Sequence, residues 1–372
     1  MPKSKTRSNA KHEPYISPDD PEILEMVAQI RKVCAENGYP RYEFPNPDPP
    51  FDFNLPELDL TMPELDFDLS ALEGMLSMDE AFQQMQFSTQ GFFEDKFNAD
   101  IAVAQIKTPV TRVGDVWQIG RHRLMCDNPS DVGAVATLMD GKKARMIFTD
   151  FSWSVDGGTE IFPGWKNRKY MGKKMSGEDF RTFLLSVLKA ATSASEPGAN
   201  TYIVSHPKIH GDLMFITEDA GFKWESTITW VKHNLTMLRK DYHSQYSPIW
   251  YGWQGDAERL CKQQLENQTD YWETSYPVLC NEHPTVKPIE LVVRAMRCTS
   301  KDGDIILDSF GNLGTTLIAA EQTGRIAHLM ESDPRYCDVI ARRFAKMQKS
   351  GEDIFLLRKG KRFSYNELVE SQ

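Results

Sequence analysis

The pattern of hydrophobic and polar positions changes character near residue 109. Beyond that point, short apolar runs alternate with longer amphipathic segments, which predicts strands that alternate with helices. The predicted strands include 144–150, 200–205, 223–231, 248–253, 303–310 and 326–332, and the predicted helices are 177–194, 287–299, 314–325 and 334–347. Strands and helices in alternation form a mostly parallel sheet that is covered on both faces. We therefore predict a Rossmann-like, doubly wound α/β domain over residues 109–350.

The segments outside this domain differ from it in composition. Residues 41–108 are rich in proline and carry acids interspersed with Leu and Phe, including the phrase Pro-Glu-Leu-Asp twice. Proline at that density blocks a continuous helix, and such a composition cannot form a core alone. This predicts a disordered acidic arm that docks on a partner, with a solvated linker as the alternative. Residues 1–40 are predicted to hold one short helix, and residues 351–372 a hairpin and tail.

Composition narrows the class of protein. The 372 residues are 40% hydrophobic, without an apolar run of membrane-spanning length or a secretory signal, so we expect a cytoplasmic protein. The net charge is -10, but residues 41–100 carry -12 and residues 101–372 carry +2. The acidic balance is confined to the arm and does not exclude nucleic acid as a partner of the domain. The six cysteines lack zinc-site spacing and are expected to be reduced, so no metal is expected.

A βαβ unit near the C-terminus has the features of a nucleotide site. The predicted strand ends at Asp308, a glycine-containing turn leads into a helix near Gly314, and Glu331 closes the next strand. Such a unit places a ligand at the strand ends, where the second acid can accept hydrogen bonds from ribose hydroxyls. Thr315 stands where a P-loop requires lysine, which excludes a P-loop.

Several motifs occur together and in a fixed order. IFTDFSW (147–153) is followed by HPTVKP (283–288) and DSFGNLGTT (308–316), with GDVWQIGRHRLMC before them and ESDPRYCDVI after them. From about residue 110 to 350 the chain resembles the β class of bacterial and phage DNA amino-methyltransferases. The resemblance implies S-adenosylmethionine as cofactor, double-stranded DNA as partner, a nucleoid-associated location, and N6 of adenine as target. Adenine is implied because Asp opens the catalytic motif, where cytosine enzymes tend to have Ser.

The resemblance also assigns cofactor contacts. Residues after the strand ending at Asp308 are implied to line the methionine and sugar, Glu331 to hold the ribose, and position 128 to face the adenine amine. The HPTVKP phrase is implied to lie at the carboxylate end, or alternatively to be a proline-set corner between a strand and a helix. The implied cofactor residues are Asn128, His283, Thr285, Lys287, Asp308, Phe310, Gly311, Asn312, Gly314, Thr315 and Glu331.

The chemistry of amine methylation explains the catalytic motif. The lone pair of an exocyclic amine is delocalised into the base, so two acceptors that each take one amine hydrogen hold the nitrogen near tetrahedral geometry. An aromatic ring then stacks on the flipped-out base. In this chain Asp150 is the predicted acceptor, the Phe151 carbonyl the second acceptor, and Trp153 the stacking ring.

The site departs from the family pattern at four places. Phe151 and Ser152 replace two prolines, Asn312 replaces a glycine, Asn128 replaces an aspartate, and Ser247 replaces a glutamate. Two hypotheses follow. The protein is a working adenine methyltransferase with an unusual loop, or a methyltransferase-like protein that binds DNA or a partner without catalysis.

Basic residues are the candidates for DNA contact. The run at 165–174 and the phrase LRKDYH supply cations that neutralise phosphates, although a solvated basic loop is the alternative. The predicted recognition insert, about 254–281, is short for reading bases, so specificity is low or comes from a second subunit on the acidic arm. The arm could instead occupy the basic groove as a DNA mimic. The candidates are Lys166, Arg168, Lys169, Lys173, Lys174, Arg239 and Lys240.

Overall fold

The structure is a computed structural model that describes residues 91–95, 97, 99–150, 177–236, 241, 243–260, 268–274 and 287–370. All of these belong to one compact unit, Ser70–Gln372. The helix and most of the acidic arm predicted before residue 91 lie outside the described residues.

In the described part of the chain, eleven strands form one mixed sheet. In chain order they are β1 (Val116–Ile119), β2 (His122–Cys126), β3 (Ala144–Asp150), β4 (Ser195–Val204), β5 (Phe222–Thr236), β6 (Ser244–Gln254), β7 (Tyr271–Thr274), β8 (Ile305–Asp308), β9 (Ile326–Glu331), β10 (Ile354–Arg358) and β11 (Lys361–Ser364). Their order across the sheet is β11-β10-β1-β2-β9-β8-β3-β4-β6-β5-β7. The five central strands, β2, β9, β8, β3 and β4, are parallel to one another.

Helices connect the strands and cover both faces of the sheet. The described helices are α1 (Ala99–Gln105), α2 (Val132–Met139), α3 (Gly177–Ser193), α4 (Pro207–Asp219), α5 (Ile289–Thr299), α6 (Thr315–Gln322), α7 (Pro334–Gln348) and α8 (Tyr365–Glu370). Buried residues of α5, α6 and α7 form one hydrophobic layer, and those of α2, α3 and α4 form the other. Because β3 is buried on both faces, its sequence is almost continuously apolar rather than alternating. The predicted doubly wound α/β fold is confirmed.

The sheet has a switch point between β8 and β3. The chain leaves β8 through α6 toward β9 on one side, and leaves β3 through α3 toward β4 on the other. Ile147 pairs with Leu307 in the register, so Asp150 extends two residues beyond the level of Asp308. In open α/β sheets, ligands bind outside the carboxyl ends of strands at such a point.

Four of the described helices, α1, α2, α4 and α8, were not predicted from periodicity, and α2 and α4 show the reason. The helix α2 is only eight residues long, and it is nucleated by Asp131, whose side chain accepts hydrogen bonds from the backbone of Gly133 and Ala134. The helix α4 begins with Pro207 at its first position and is capped by the His206 ring. Both begin with a local capping arrangement rather than with a long amphipathic pattern. The predicted hairpin turn at Gly120 is present between β1 and β2, with φ of +53°.

Described residues before position 109 also contact the folded unit. Residues 91–95 and α1 belong to the folded unit, where α1 lies against α7 and Phe97 packs beside a small core that includes Ile106 and Tyr336. The predicted arm included these residues because they follow directly on its proline-rich, acidic stretch. Their partners include Gln322 and Arg343, which lie more than two hundred positions away and which composition cannot reveal.

Candidate active site at the strand ends

Three neighbouring parallel strands end on acidic residues. Asp150 closes β3, Asp308 closes β8 and Glu331 closes β9. Because these strands are parallel, their carboxyl ends lie at one edge of the sheet. The described part of the first motif, 147–150, and the second motif, 308–316, are therefore brought together at the switch point.

Asp150 forms a buried ion pair with Lys287. The Lys287 Nζ donates to Asp150 Oδ2 at 2.7 Å, and the side chains are 6% and 13% exposed respectively. A charge-assisted bond of this length fixes the direction of the carboxylate. Lys287 lies two positions before α5, so the end of β3 is joined to the HPTVKP phrase by its lysine.

The same lysine lines a cavity at the end of β8. The cavity has a volume of about 10 Å³ and is bounded by Lys287, Asp308, Gly311, Asn312, Leu313, Thr315 and Thr316. This is room for about one water molecule, whereas pockets that hold a small molecule usually have volumes of about 300–1,000 Å³. The described residues therefore line a small hollow rather than a complete ligand pocket, and Lys287 connects this hollow to Asp150.

Asp308 is a buried carboxylate held by two short hydrogen bonds. Its Oδ1 accepts from the Phe310 backbone N–H at 3.0 Å and its Oδ2 from the Thr316 hydroxyl at 2.6 Å. Burial raises the pKa of Asp308 to about 6, although Lys287 and the hydrogen bonds favour the ionised form. Asp308 is thus mainly ionised at neutral pH, in a site where a ligand cation would stabilise its charge.

The turn after β8 is held open by its backbone. Gly311 donates its N–H to the Met330 carbonyl at 2.7 Å, and the Asn312 N–H donates to Glu331 Oε2 at 2.8 Å. Asn312 has φ of +52° and Gly314 has φ of +77°. Asparagine adopts left-handed φ more readily than most residues, so the replacement of glycine at 312 preserves the turn.

Glu331 and Asn128 mark the ends of β9 and β2. Glu331 is buried and also accepts from the Asp333 N–H at 2.9 Å, so two backbone groups orient its carboxylate. Asn128 uses its side-chain oxygen locally, accepting from the N–H of Ser130 at 3.1 Å and from the Ser130 hydroxyl at 2.9 Å. Asn128 therefore lies at the predicted edge, with its amide oxygen committed to the turn before α2.

Other predicted cofactor residues have structural contacts of their own. The ring of Phe310 packs edge-on against Phe183 of α3, with centroids 6.4 Å apart. Thr315 begins α6, and its hydroxyl accepts from Arg343 Nη1 at 3.2 Å. Phe310 thus anchors the turn to one helical layer and Thr315 anchors it to the other.

A second lysine near Asp150 was not singled out from the sequence. Lys232 of β5 is partly buried, and its Nζ lies 4.8 Å from the centroid of the Trp230 ring. Burial lowers the pKa of Lys232, the charge of Asp150 raises it, and that of Lys287 lowers it further. The only sequence signal was its position in the family phrase beginning WVKHN, whereas Thr316 was signalled by the GTT phrase.

Ser247, where the family usually has glutamate, lies in β6 and pairs with Trp230 of β5. Eleven of the catalytic, cofactor and DNA candidates lie outside the described residues. They are Phe151, Trp153, Lys166, Arg168, Lys169, Lys173, Lys174, Arg239, Lys240, His283 and Thr285.

Two negative findings apply to the described ranges only. There, no group of three or more His, Cys, Asp and Glu side chains is arranged to hold a metal ion. No helix within those ranges has the length and apolar character to cross a membrane.

Cys126, Cys298 and Cys337 are free and buried, as predicted for core thiols.

Comparison with known proteins identifies the family. A model of a family described as DNA methylase matches residues 158–342, about half of the chain. The chain belongs to the DNA methylase family. The predicted resemblance to DNA amino-methyltransferases is confirmed. The matched span includes the ends of β8 and β9 and begins eight positions after Asp150, so the methylase match does not itself cover that acid.

Relatives of this methylase include two bacterial enzymes. Type II methyltransferase M2.DpnII of Streptococcus pneumoniae is 24% identical over 233 residues, which cover 58% of this chain and 87% of the relative. Type II methyltransferase M.Cfr9I of Citrobacter freundii is 25% identical over 162 residues, covering 39% of this chain. The chain spans about half, 51%, of the length of M.Cfr9I.

Similar solved structures also include methyltransferases. The M1.HpyAVI–SAM complex is 17% identical, with a TM-score of 0.45, and the match covers 59% of this chain and 98% of that one. PvuII DNA methyltransferase, described as cytosine-N4-specific, is 15% identical, with a TM-score of 0.46 and coverage of 66% and 89%.

Proposed function

We propose that the protein is an S-adenosylmethionine-dependent DNA methyltransferase that methylates adenine at N6. The observation that carries this proposal is the ion pair between Asp150 and Lys287. Asp150, the acid that we propose as the acceptor, ends β3 and is bonded to Lys287, which lines the cavity beside Asp308. Membership of the DNA methylase family supports the reaction class independently of that contact.

The described residues fit the proposed cofactor. When bound, S-adenosylmethionine supplies a methyl group activated by a positively charged sulfonium. Asp308 offers a buried negative charge to a cationic ligand, and Glu331 offers acceptors to hydroxyl groups. The residues proposed to hold the cofactor are Asn128, His283, Thr285, Lys287, Asp308, Phe310, Gly311, Asn312, Gly314, Thr315 and Glu331.

The reacting amine is held by acceptors of this chain. Asp150 accepts a hydrogen bond from one N–H of the adenine amine, and the Phe151 carbonyl accepts one from the other N–H. The Trp153 ring stacks on the flipped base. Lys287 acts as a positioning residue, because its ammonium orients the Asp150 carboxylate before the base arrives.

The choice of adenine rests on the first residue of the catalytic motif. Asp150 stands where cytosine N4 enzymes of this class tend to have serine, which has one hydroxyl in place of two carboxylate oxygens. The basic candidates at 166–174 and 239–240 would neutralise phosphates next to the flipped nucleotide. We expect their replacement to weaken binding of all DNA sequences alike.

Isothermal calorimetry followed by a methyl-transfer assay tests the proposal. The full chain is titrated with S-adenosylmethionine, and then labelled cofactor and DNA are added and the modified bases are identified. We expect binding in the micromolar range and label in N6-methyladenine. Absence of heat at millimolar cofactor would contradict the proposal and favour a protein that binds without catalysis, whereas label in N4-methylcytosine would refute only the choice of base.

A further inference from the structure

The acidic residues Glu94 and Asp95 contact two elements that bound the site: the start of α5, and Arg343, which holds the turn after β8. Asp95 forms a two-pronged ion pair with Arg343 of α7, with Nε to Oδ2 at 2.6 Å and Nη2 to Oδ1 at 2.9 Å. Arg343 is 3% exposed and Asp95 is 22% exposed. Two parallel charge-assisted bonds fix the guanidinium plane as well as its charge.

The same guanidinium holds the cofactor turn. Arg343 Nη1 donates to the Leu313 carbonyl at 2.8 Å and to the Thr315 hydroxyl at 3.2 Å. Leu313 and Thr315 also line the cavity beside Asp308. Asp95 is therefore connected to the cavity wall through one buried side chain.

Glu94 contacts the start of α5. Helix α5 begins after Pro288, which supplies no side-chain cap, and Glu94 Oε1 accepts from the Glu290 backbone N–H at 3.0 Å. A carboxylate at this end satisfies helix N–H groups and interacts favourably with the helix dipole. Lys287, which orients Asp150, immediately precedes Pro288.

Backbone bonds of the neighbouring residue fix the position of the pair. The Phe93 N–H donates to Gln322 Oε1 at 2.8 Å, and Gln322 Nε2 donates to the Phe93 carbonyl at 2.9 Å. Gln322 is the last residue of α6, the helix that follows the cofactor turn. The segment 93–95 thus contacts α5, α6 and α7 within three residues.

We propose that Glu94 and Asp95 are positioning residues of the cofactor site, which hold the turn 311–315 and the start of α5 in their binding arrangement. This inference rests on the proposed function. Without the Asp95 carboxylate, the buried charge of Arg343 lacks its bidentate partner. The guanidinium is then free to reorient toward another acceptor, which weakens its hydrogen bonds to Leu313 and Thr315. Loss of Asp95 should therefore lower the affinity for the cofactor in addition to the stability of the fold.

The test compares Asp95→Asn with Asp302→Asn in the full chain. Asp302 is also the carboxylate partner of a buried arginine, Arg325, at 2.8 Å, but it lies before β8, at the opposite edge of the sheet. The melting temperature, the dissociation constant for S-adenosylmethionine, and hydrogen–deuterium exchange of residues 311–316 are measured for both variants. Asp95→Glu, which keeps the carboxylate, serves as the conservative rescue.

We expect Asp95→Asn to weaken cofactor binding about tenfold and to increase exchange at 311–316 before any ligand is added. Asp302→Asn should lower the melting temperature without either effect, and Asp95→Glu should recover most of the affinity. Glu94→Gln should give a smaller loss of affinity, with increased exchange at the start of α5. In methyl transfer, Asp95→Asn should raise KM for the cofactor and leave KM for DNA unchanged.

Two results would overturn the inference while leaving the proposed function intact. In one, the wild type binds the cofactor and Asp95→Asn binds it equally well despite a lower melting temperature. In the other, Asp302→Asn weakens binding as much as Asp95→Asn. If the wild type binds no cofactor, the proposed function fails and this inference fails with it, whatever the exchange data show.

Discussion

The two strands that meet at the switch point end in different ways. After β8, six residues lead into α6, and the acid at the strand end is held by its own loop and helix, through Phe310 and Thr316. After β3, twenty-six residues separate Asp150 from α3, and the described contact of its carboxylate comes from Lys287, 137 positions away. The carboxylate that ends β8 is thus held by its neighbours in sequence, whereas the carboxylate that ends β3 is held by a distant residue.

The largest effect should come from removing the acceptor itself. Asp150→Ala is expected to lower methyl transfer at least about a hundredfold, because one of the two acceptors of the amine hydrogens is lost. The dissociation constant for S-adenosylmethionine should change little. Label transfer and calorimetry measure the two quantities, with Asp256→Ala, at an almost fully exposed position, as control. Equal transfer by Asp150→Ala and wild type would show that the end of β3 has no catalytic part.

Lys287→Met should affect both sides of the comparison. It removes the ion pair between Lys287 and Asp150 and a side chain of the cavity wall, so both transfer and cofactor affinity should fall. Breaking a mostly buried pair is expected to cost about 3 kcal/mol of unfolding free energy. Urea denaturation and calorimetry check this, with Lys287→Arg as the charge-conserving control. A variant that loses stability but keeps both activities would separate Lys287 from the site.

The pH dependence of cofactor binding should report on Asp308 at the end of β8. The pKa of Asp308 is raised from 3.8 to about 6, and a cationic ligand favours its ionised form. Affinity for S-adenosylmethionine should therefore fall about tenfold between pH 7 and pH 5 as Asp308 takes up a proton. Asp308→Asn should bind weakly at both pH values. Affinity of the wild type that is unchanged across this range would contradict the assignment.

Stability of the ligand-free protein should respond to the same group with the opposite sign. Because the folded state binds this proton more tightly than the unfolded state, the contribution of Asp308 to unfolding free energy falls as pH rises from about 3.8 to about 6. Comparing wild type with Asp308→Asn isolates that contribution. If the unfolding free energy of wild type instead rose relative to that of Asp308→Asn with rising pH, a group of the protein itself would already stabilise the ionised carboxylate without ligand.

The smallest effect is expected at the turn. Asn312→Gly keeps the left-handed conformation and removes a side chain that the family lacks, so unfolding free energy should change by less than about 1 kcal/mol. Cofactor affinity should stay the same or improve a fewfold. Calorimetry on this variant shows whether Asn312 restricts the site. A large loss of affinity would mean that the asparagine side chain is itself a ligand contact.

The same contrast explains what the sequence could predict. Strands and helices were predictable where one pattern covers most of the element, as the apolar run does in β3 and the amphipathic repeat does in α7. The turn after β8 was predictable because its strand, glycines and acids are neighbours in sequence. The pairing of Lys287 with Asp150, and of Asp95 with Arg343, was not predictable, because each joins residues from distant segments through side chains whose partners only the fold selects.

A crystal structure of the full chain with a nonreactive analogue of S-adenosylmethionine tests the central claim most directly. The account predicts that the analogue lies against residues 308–315 with its sulfonium-equivalent end directed toward Asp150, which remains bonded to Lys287. An analogue bound elsewhere, or an Asp150 carboxylate turned away from the end of β8, would contradict it.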